Sequence, residues 1–197
     1  VTRFVCVFCG SKAGAVPVYA EAARALGQAI ASTGLGLVYG GAAQGLMGAV
    51  ADAVLEGGGP VVGVIPHGLA RQEFAHPRLT EAHFVGSMHE RKALMESLSH
   101  AFVALPGGFG TLDELFEALT WAQIGLHDKP IGLVDTAGYY APLVRWIEGA
   151  LAQGFVPGAM ASAFLVDPDP SALLARLLAH RMPPSPVKWL GEKPVRR

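Results

Sequence analysis

The chain has 197 residues, 51% of them hydrophobic and 16% charged, with a formal net charge of −1. Such a length and composition suit one folded domain with a full core, not a disordered chain, and the near-zero charge gives no reason to expect nucleic acid as a partner. The longest apolar runs, FVALP and VVGVIP, are strand-sized and well short of the roughly 20 residues a membrane span needs. With no basic segment followed by an apolar one at the start, the expectation is a cytoplasmic protein with no membrane partner.

In chain order, FVCVF (4 to 8) opens as an apolar, β-branched strand. It carries Cys6, with Cys9 just beyond, the chain's 2 cysteines, in a C-x-x-C spacing. Two ligands do not complete a zinc site, and an offset of three in an extended strand points the thiols to opposite faces, so no metal is expected. A helical pattern over 18 to 32 ends at Gly34, and LGLVY (35 to 39) forms the next strand. A second helix over 45 to 56 ends at Gly57, followed by VVGVI (61 to 65) and a weaker strand, HFVG, near 83. The pattern continues with a helix at 88 to 99, AFVAL (101 to 105), a helix at 112 to 125 and IGLVD (131 to 135). A helix at 139 to 152, a weak strand FLVD near 164 and a helix at 170 to 181 close the series. This alternation predicts an α/β fold: a doubly wound, mostly parallel sheet with helices on both faces, a modified Rossmann arrangement. Residues 1 to 182 read as a single domain, and the Pro-rich, basic tail 183 to 197 as extended or disordered.

In such folds ligands bind at the carboxyl ends of the strands. Four strand ends carry glycine or a small polar residue: CGS (9 to 11), YGGAAQGLMG (39 to 48), IPHG (65 to 68) and LPGGFGT (105 to 111). Neither a dinucleotide G-x-G-x-x-G nor a Walker Gly-Lys-Ser/Thr is present, so NAD binding and ATP hydrolysis are not expected. What remains is two glycine-rich strand-to-helix turns. Each either relieves backbone crowding or presents unpaired N–H groups to an anion.

Charged residues cluster around the second turn. Ser87 and Glu90 fit a capping box, which makes Glu90 structural. Arg91 and Lys92 then fall in the first turn of a helix, where cations are disfavoured by about 0.3 to 1 kcal/mol. Either an anionic ligand compensates them or they are solvated. Thr111 and Glu114 also fit a capping box, T-L-D-E, which would make Glu114 a helix clamp. The alternative is a division of labour, with the glycines taking a phosphate and Glu114 facing the attached sugar. A phosphate and a carboxylate about 8 Å apart repel by about 2 kcal/mol at an effective dielectric of 20, which Arg91 or Lys92 could offset.

Four motifs now stand in order: Gly-Gly-x-x-x-Gly-Leu-Met-Gly (40 to 48), Met-His-x-Arg-Lys (88 to 92), Pro-Gly-Gly-x-Gly-Thr-x-x-Glu (106 to 114) and Thr-Trp-Ala-Gln-x-Gly (120 to 125). From about Arg3 to Val156 the chain resembles the Lonely Guy (LOG) family, cytokinin riboside 5′-monophosphate phosphoribohydrolases long mislabelled as lysine decarboxylases. The resemblance implies hydrolysis of the N-glycosidic bond of AMP or N6-substituted AMP, giving free base and ribose 5-phosphate. It places catalytic roles on Arg91 and Glu114. Substrate contacts fall on Glu73, Arg91, Lys92, Gly108, Phe109, Gly110, Thr111, Leu112, Asp113, Glu114 and Thr120, with Ser11, Gly41 and Met88 in the adjoining motifs. No cofactor is implied, and the older decarboxylase label finds no distinct pyridoxal-phosphate lysine motif here.

Glycosidic cleavage builds positive charge on the ribose, so an ionised carboxylate near the anomeric carbon would stabilise it and orient water. A helix N-terminus is expected to keep Glu114 ionised, with Arg91 holding phosphate or ribose. Two other readings stay open at this point: a nucleotide or cofactor carrier of the same fold, and a nucleosidase for other nucleoside monophosphates. The family, and an apolar helix surface around Leu115, Leu119, Trp121 and Ile124, lead to the expectation of a homodimer.

Overall fold

A computed structural model of the chain describes residues 3–70 and 75–186. Seven strands form one sheet, all parallel, in the order β4-β3-β2-β1-β5-β6-β7. They are β1 (Phe4–Phe8), β2 (Gly36–Tyr39), β3 (Val61–Pro66), β4 (Glu81–Val85), β5 (Ala101–Ala104), β6 (Ile131–Val134) and β7 (Phe164–Asp167). The helices are α1 (Val18–Ser32), α2 (Gly45–Glu56), α3 (His67–Ala70), α4 (Met88–Leu98), α5 (Phe109–Gln123), α6 (Ala141–Ala152) and α7 (Pro170–Ala179). The two weak strand patterns near 83 and 164 are the edge strands β4 and β7. Their patterns are diluted because an edge buries less of itself than a central strand.

The central strands are buried on both sides, which explains their unbroken apolar runs. Val5, Val7 and Cys9 join a core with Leu26 and Ile30 of α1, Val50 and Val54 of α2 and Leu173 of α7. Cys6 and Phe8 point the other way, into a core with Met95 of α4 and Leu115 and Ala118 of α5. Each fully buried Leu or Ile in these layers contributes about 1.5 to 3 kcal/mol. The two cysteines are free thiols on opposite faces, as their spacing predicts.

Two helix starts differ from expectation. α6 begins at Ala141, not 139, because a 3₁₀ turn at Thr136–Gly138 intervenes, closed by the Asp135 carboxylate accepting from the Tyr140 N–H at 2.6 Å. α5 begins at Phe109, three residues before the expected 112, with Gly108 as its N-cap. α1 is followed by Gly34 at φ +72, whereas α2 ends on Gly57 and leaves the left-handed turn to Gly58 at φ +78.

From β1 the chain builds outward through β2 and β3 to β4, then crosses back through α4 to β5 on the other side of β1. The reversal makes the carboxyl ends of β1 and β5 the switch point of the sheet, where a doubly wound fold opens a crevice. Around it lie Cys9 to Lys12 after β1, Gly40 to Gln44 after β2 and Leu105 to Gly108 after β5.

Candidate active site

The site is built by α4 and α5, which lie on the same face of the sheet. Ser87 caps α4, its hydroxyl accepting from the Glu90 N–H at 3.1 Å, while the Glu90 carboxylate accepts from the Gly86 N–H at 2.8 Å. This reciprocal cap fixes the first turn, so Glu90 is structural and Arg91 leaves the helix in a defined direction. The Arg91 guanidinium crosses Gly40 so closely that a Cβ there would stand 2.1 Å from Nη2. Gly40 is therefore glycine to make room for Arg91. Nη2 lies 3.5 Å from Glu114 Oε1, and Nη1 lies 3.8 Å from the sulfur of Met88. The buried Nε has no hydrogen-bond partner among the described residues.

α5 opens without a side-chain cap. Its first N–H groups have no intrahelical acceptor, and the Leu112 N–H is the first to close back, onto the Gly108 carbonyl at 3.1 Å. The turn before it is held from below by Gly10, whose N–H donates to the Pro106 carbonyl at 3.1 Å. From the side, Tyr139 and Tyr140 donate their hydroxyls to the carbonyls of Gly107 and Leu105, both at 2.6 Å. Gly107 is crowded, since a Cβ would meet Thr111 Oγ1 at 2.1 Å and the Gly10 nitrogen at 2.8 Å. At Gly108 and Gly110 a Cβ would meet nothing within 4 Å.

Because α5 starts at Phe109, Thr111 is its third residue and Glu114 its sixth, so the T-L-D-E stretch is not a capping box. Glu114 is a buried carboxylate, 8% exposed, facing Arg91. The expectation that the helix start keeps it ionised also fails, since the dipole acts within the first turn only. Burial pushes its pKa from 4.5 to about 7, against the pull of Arg91. Glu114 thus exchanges its proton near neutral pH.

Lys92 has a different role from its neighbour. Its ammonium lies 2.7 Å from Glu117 and 3.0 Å from Asp113, both on α5. Burial works to lower its pKa, but the hydrogen bonds to Glu117 and Asp113 prevail and the pKa is raised. These carboxylates compensate the Lys92 cation, the fifth residue of α4, and the bridge ties together the two helices that carry Arg91 and Glu114.

Two pockets open at this end of the sheet, and Arg91 lines the larger of them. The larger, about 440 Å³, is lined mostly by apolar residues, Ala42, Met47, Ile65, Leu69 and Ala75, together with Gly41, Ser11, Lys12, Gln44 and Arg91. The smaller, about 260 Å³, lies between the Gly10–Gly14 loop and the α5 turn, against Gly107, Gly108 and Tyr139. Ser11 and Lys12 border both. Of the residues expected from sequence, Ser11, Gly41, Met88, Arg91, Gly108 and Glu114 converge here. Thr111 is buried under the turn, Leu112 packs toward the core, and Phe109 projects outward, 94% exposed. Thr120 stands apart, exposed and six residues beyond Glu114, about 9 Å along α5 and on another face. Glu73 lies outside the described residues. Sequence reasoning missed Lys12, Tyr139 and Tyr140. The only signal for the tyrosines was their position after a turn at the end of β6, and Lys12 was visible only as the residue after Ser11. Among the described residues no group of three or more His, Cys, Asp or Glu could hold a metal ion.

Residues 47–177 match the family model described as possible lysine decarboxylase. A protein of Oryza sativa subsp. japonica, named as a probable cytokinin riboside 5′-monophosphate phosphoribohydrolase, is 48% identical over 92% of this chain and 74% of its own length. The cytokinin riboside 5′-monophosphate phosphoribohydrolase of Rhodococcoides fascians is 49% identical over 89% of both chains. The chain belongs to the LOG family. Among solved structures, the molybdenum cofactor carrier protein of Chlamydomonas reinhardtii superposes with a TM-score of 0.71 at 23% identity, over 91% of this chain and 100% of that one. The molybdenum cofactor binding protein of Rippkaea orientalis does so at 0.67 and 19%, over 91% and 97%. Those two likenesses concern the fold alone. The LOG fold accommodates more than one task, so the chemistry has to be argued from the Arg91 and Glu114 pair.

Proposed function

We propose that the protein hydrolyses the N-glycosidic bond of adenosine 5′-monophosphate, bare or N6-substituted, to free base and ribose 5-phosphate. The observation that carries this reading is the buried Arg91–Glu114 pair, 3.5 Å apart, with Arg91 lining the larger pocket at the switch point of the sheet. The activity named for the relatives supports it.

In this reading the phosphate sits in the smaller pocket, against the unpaired N–H groups of Gly108, Phe109, Gly110 and Thr111. Lys12 supplies the neighbouring cation, since Lys92 is engaged by Asp113 and Glu117 and instead positions α5. The ribose lies over Arg91 and Glu114, with Ser11, Gly41 and Met88 around it, and the base enters the larger, mostly apolar pocket. As the bond from C1′ to the base lengthens, positive charge develops on the sugar and ionised Glu114 stabilises it. Water attacks C1′ and gives its proton to Glu114, while the base leaves with the bonding pair and takes up a proton. A carboxylate with a pKa near 7 suits this task, because it is ionised for part of the population yet basic enough to accept a proton.

We include a cytoplasmic location and a homodimer in the proposal. Buried free thiols suit a reducing compartment. Leu115 is wholly buried, so the dimer surface is better sought at exposed Phe109 and at Trp146, whose ring stands edge-on to Phe116 at 5.7 Å. Sedimentation at micromolar concentration checks the dimer. The function is tested by separating products after incubation with AMP, CMP and isopentenyladenosine monophosphate. Free adenine or isopentenyladenine with ribose 5-phosphate is expected; cleavage of CMP alone, or tight binding without products, overturns the reading.

A further inference from the structure

The larger pocket has a wall that the active-site residues do not explain. After β3 and α3 the chain returns beneath the glycine turn of β2, where Ala75 forms an antiparallel bridge with Ala42 and the His76 N–H donates to the Gly41 carbonyl at 2.8 Å. His76 is 5% exposed and both its ring nitrogens are engaged. Nδ1 accepts from the Arg78 N–H at 3.2 Å, which leaves the proton on Nε2 to be donated to Asp52 Oδ1, also at 3.2 Å. The same carboxylate accepts from the Arg78 guanidinium. Asp52 belongs to α2, the helix that follows the glycine turn, so two hydrogen bonds and an ion pair stitch residues 75 to 78 to that turn and its helix.

We propose that Asp52, His76 and Arg78 are positioning residues that set the width of the larger pocket, and thereby the discrimination between AMP and AMP carrying an alkyl N6 substituent. The proposal rests on the function given above. None of the three has been placed at the reacting atoms, and their effect passes through Ala75 and Gly41, which line the pocket together with Met47 and Ile65. The wall is apolar at Ala42, Met47, Ile65, Leu69 and Ala75, so a substituent seated there gains by burial, and gains only while the wall stays in contact with it. A buried imidazole with both nitrogens satisfied holds such a wall in one position, because releasing it would strand polar groups.

The test is the ratio of kcat/KM for isopentenyladenosine monophosphate to that for AMP. In His76→Leu the ratio should fall about tenfold, through KM for the substituted nucleotide, with kcat on AMP nearly unchanged, the loss of less than two well-packed methylenes. His76→Gln, which keeps a donor near the Nε2 position, should restore most of the ratio, and His76→Asn, which keeps an acceptor near Nδ1, should restore less. Asp52 is half-exposed, so Asp52→Ala offers a variant that folds even where His76→Leu does not, and it too should lower the ratio. An unchanged ratio in Asp52→Ala and in folded His76→Leu, or equal losses on both nucleotides that track the fall in melting temperature, would overturn the proposal. If wild-type protein cleaves neither nucleotide, the functional reading fails instead. The clasp is then judged by calorimetry from the ratio of the dissociation constant for isopentenyladenosine monophosphate to that for AMP, expected to rise in the same variants and overturning the proposal if it does not.

Discussion

The two glycine turns look alike in sequence and do different work. After β2, Gly40 lacks a side chain because Arg91 occupies the space, 2.1 Å from where a Cβ would lie, and Gly41 turns at φ +80 against Ile65. After β5, Gly108 and Gly110 have open space where a Cβ would go and do not adopt a left-handed backbone. The first turn is shaped by the protein's own side chains. In the second, Gly107 is crowded by Thr111 and Gly10, but neither crowding nor conformation demands glycine at Gly108 and Gly110, which suits the approach of a phosphate in the function proposed above. A count of glycines conceals this difference; the neighbours of each missing Cβ reveal it.

The comparison is broken most severely at the pair that both turns serve. Glu114→Gln should lower turnover by a factor on the order of 100 to 1,000, as loss of one electrostatic stabiliser does. It should also remove the acid limb near pH 7 that is expected in the wild-type kcat/KM profile from the Glu114 pKa. Near-wild-type turnover in a folded Glu114→Gln protein would falsify the catalytic assignment.

The same substitution sharpens the electrostatic side of the contrast. Glu114 binds its proton more tightly in the folded chain, with a pKa of about 7, than in the unfolded one, at 4.5. Between those values the folded state holds more protons, so this contribution to stability is complete below 4.5 and is lost as pH rises through about 7. Relative to Glu114→Gln, wild type should therefore lose up to about 3 kcal/mol from pH 4 to pH 8. Urea titrations of both proteins across that range read the difference directly.

Gly40→Ala should displace the Arg91 guanidinium and reduce kcat by about tenfold to a hundredfold, with a fall in melting temperature from the overpacking. Gly108→Ala should have the smallest effect and the most informative one. Its melting temperature should stay within a degree or two of wild type while KM for AMP rises about tenfold, because the new methyl occupies the approach to the N–H groups rather than the protein interior. Equal effects of the two substitutions on stability would erase the distinction between the turns.

Much of this arrangement was legible in the sequence. Strand centres announced themselves by unbroken β-branched runs, since parallel strands buried on both faces have no polar side. The Ser87 cap was legible because both partners lie within three residues. The start of α5 was not, because Gly108 caps without a side chain, while Thr111 and Glu114 imitate a box that the helix does not use. The partners of Lys92 stand 21 and 25 residues away, and no local pattern connects them. The protonation of Glu114 was misjudged for a related reason: local position suggested a helix start, whereas its pKa is set by burial beneath elements from elsewhere in the chain.

The hydroxyls of Tyr139 and Tyr140 reach back more than thirty residues to carbonyls of the turn before α5. Every residue of the four motifs lies before position 126, so a fragment ending there would contain the whole signature and still lack the props that hold it in shape. A working unit has to extend at least through β6 to Tyr140. A domain boundary drawn around the motifs alone would cut the protein inside its own active site.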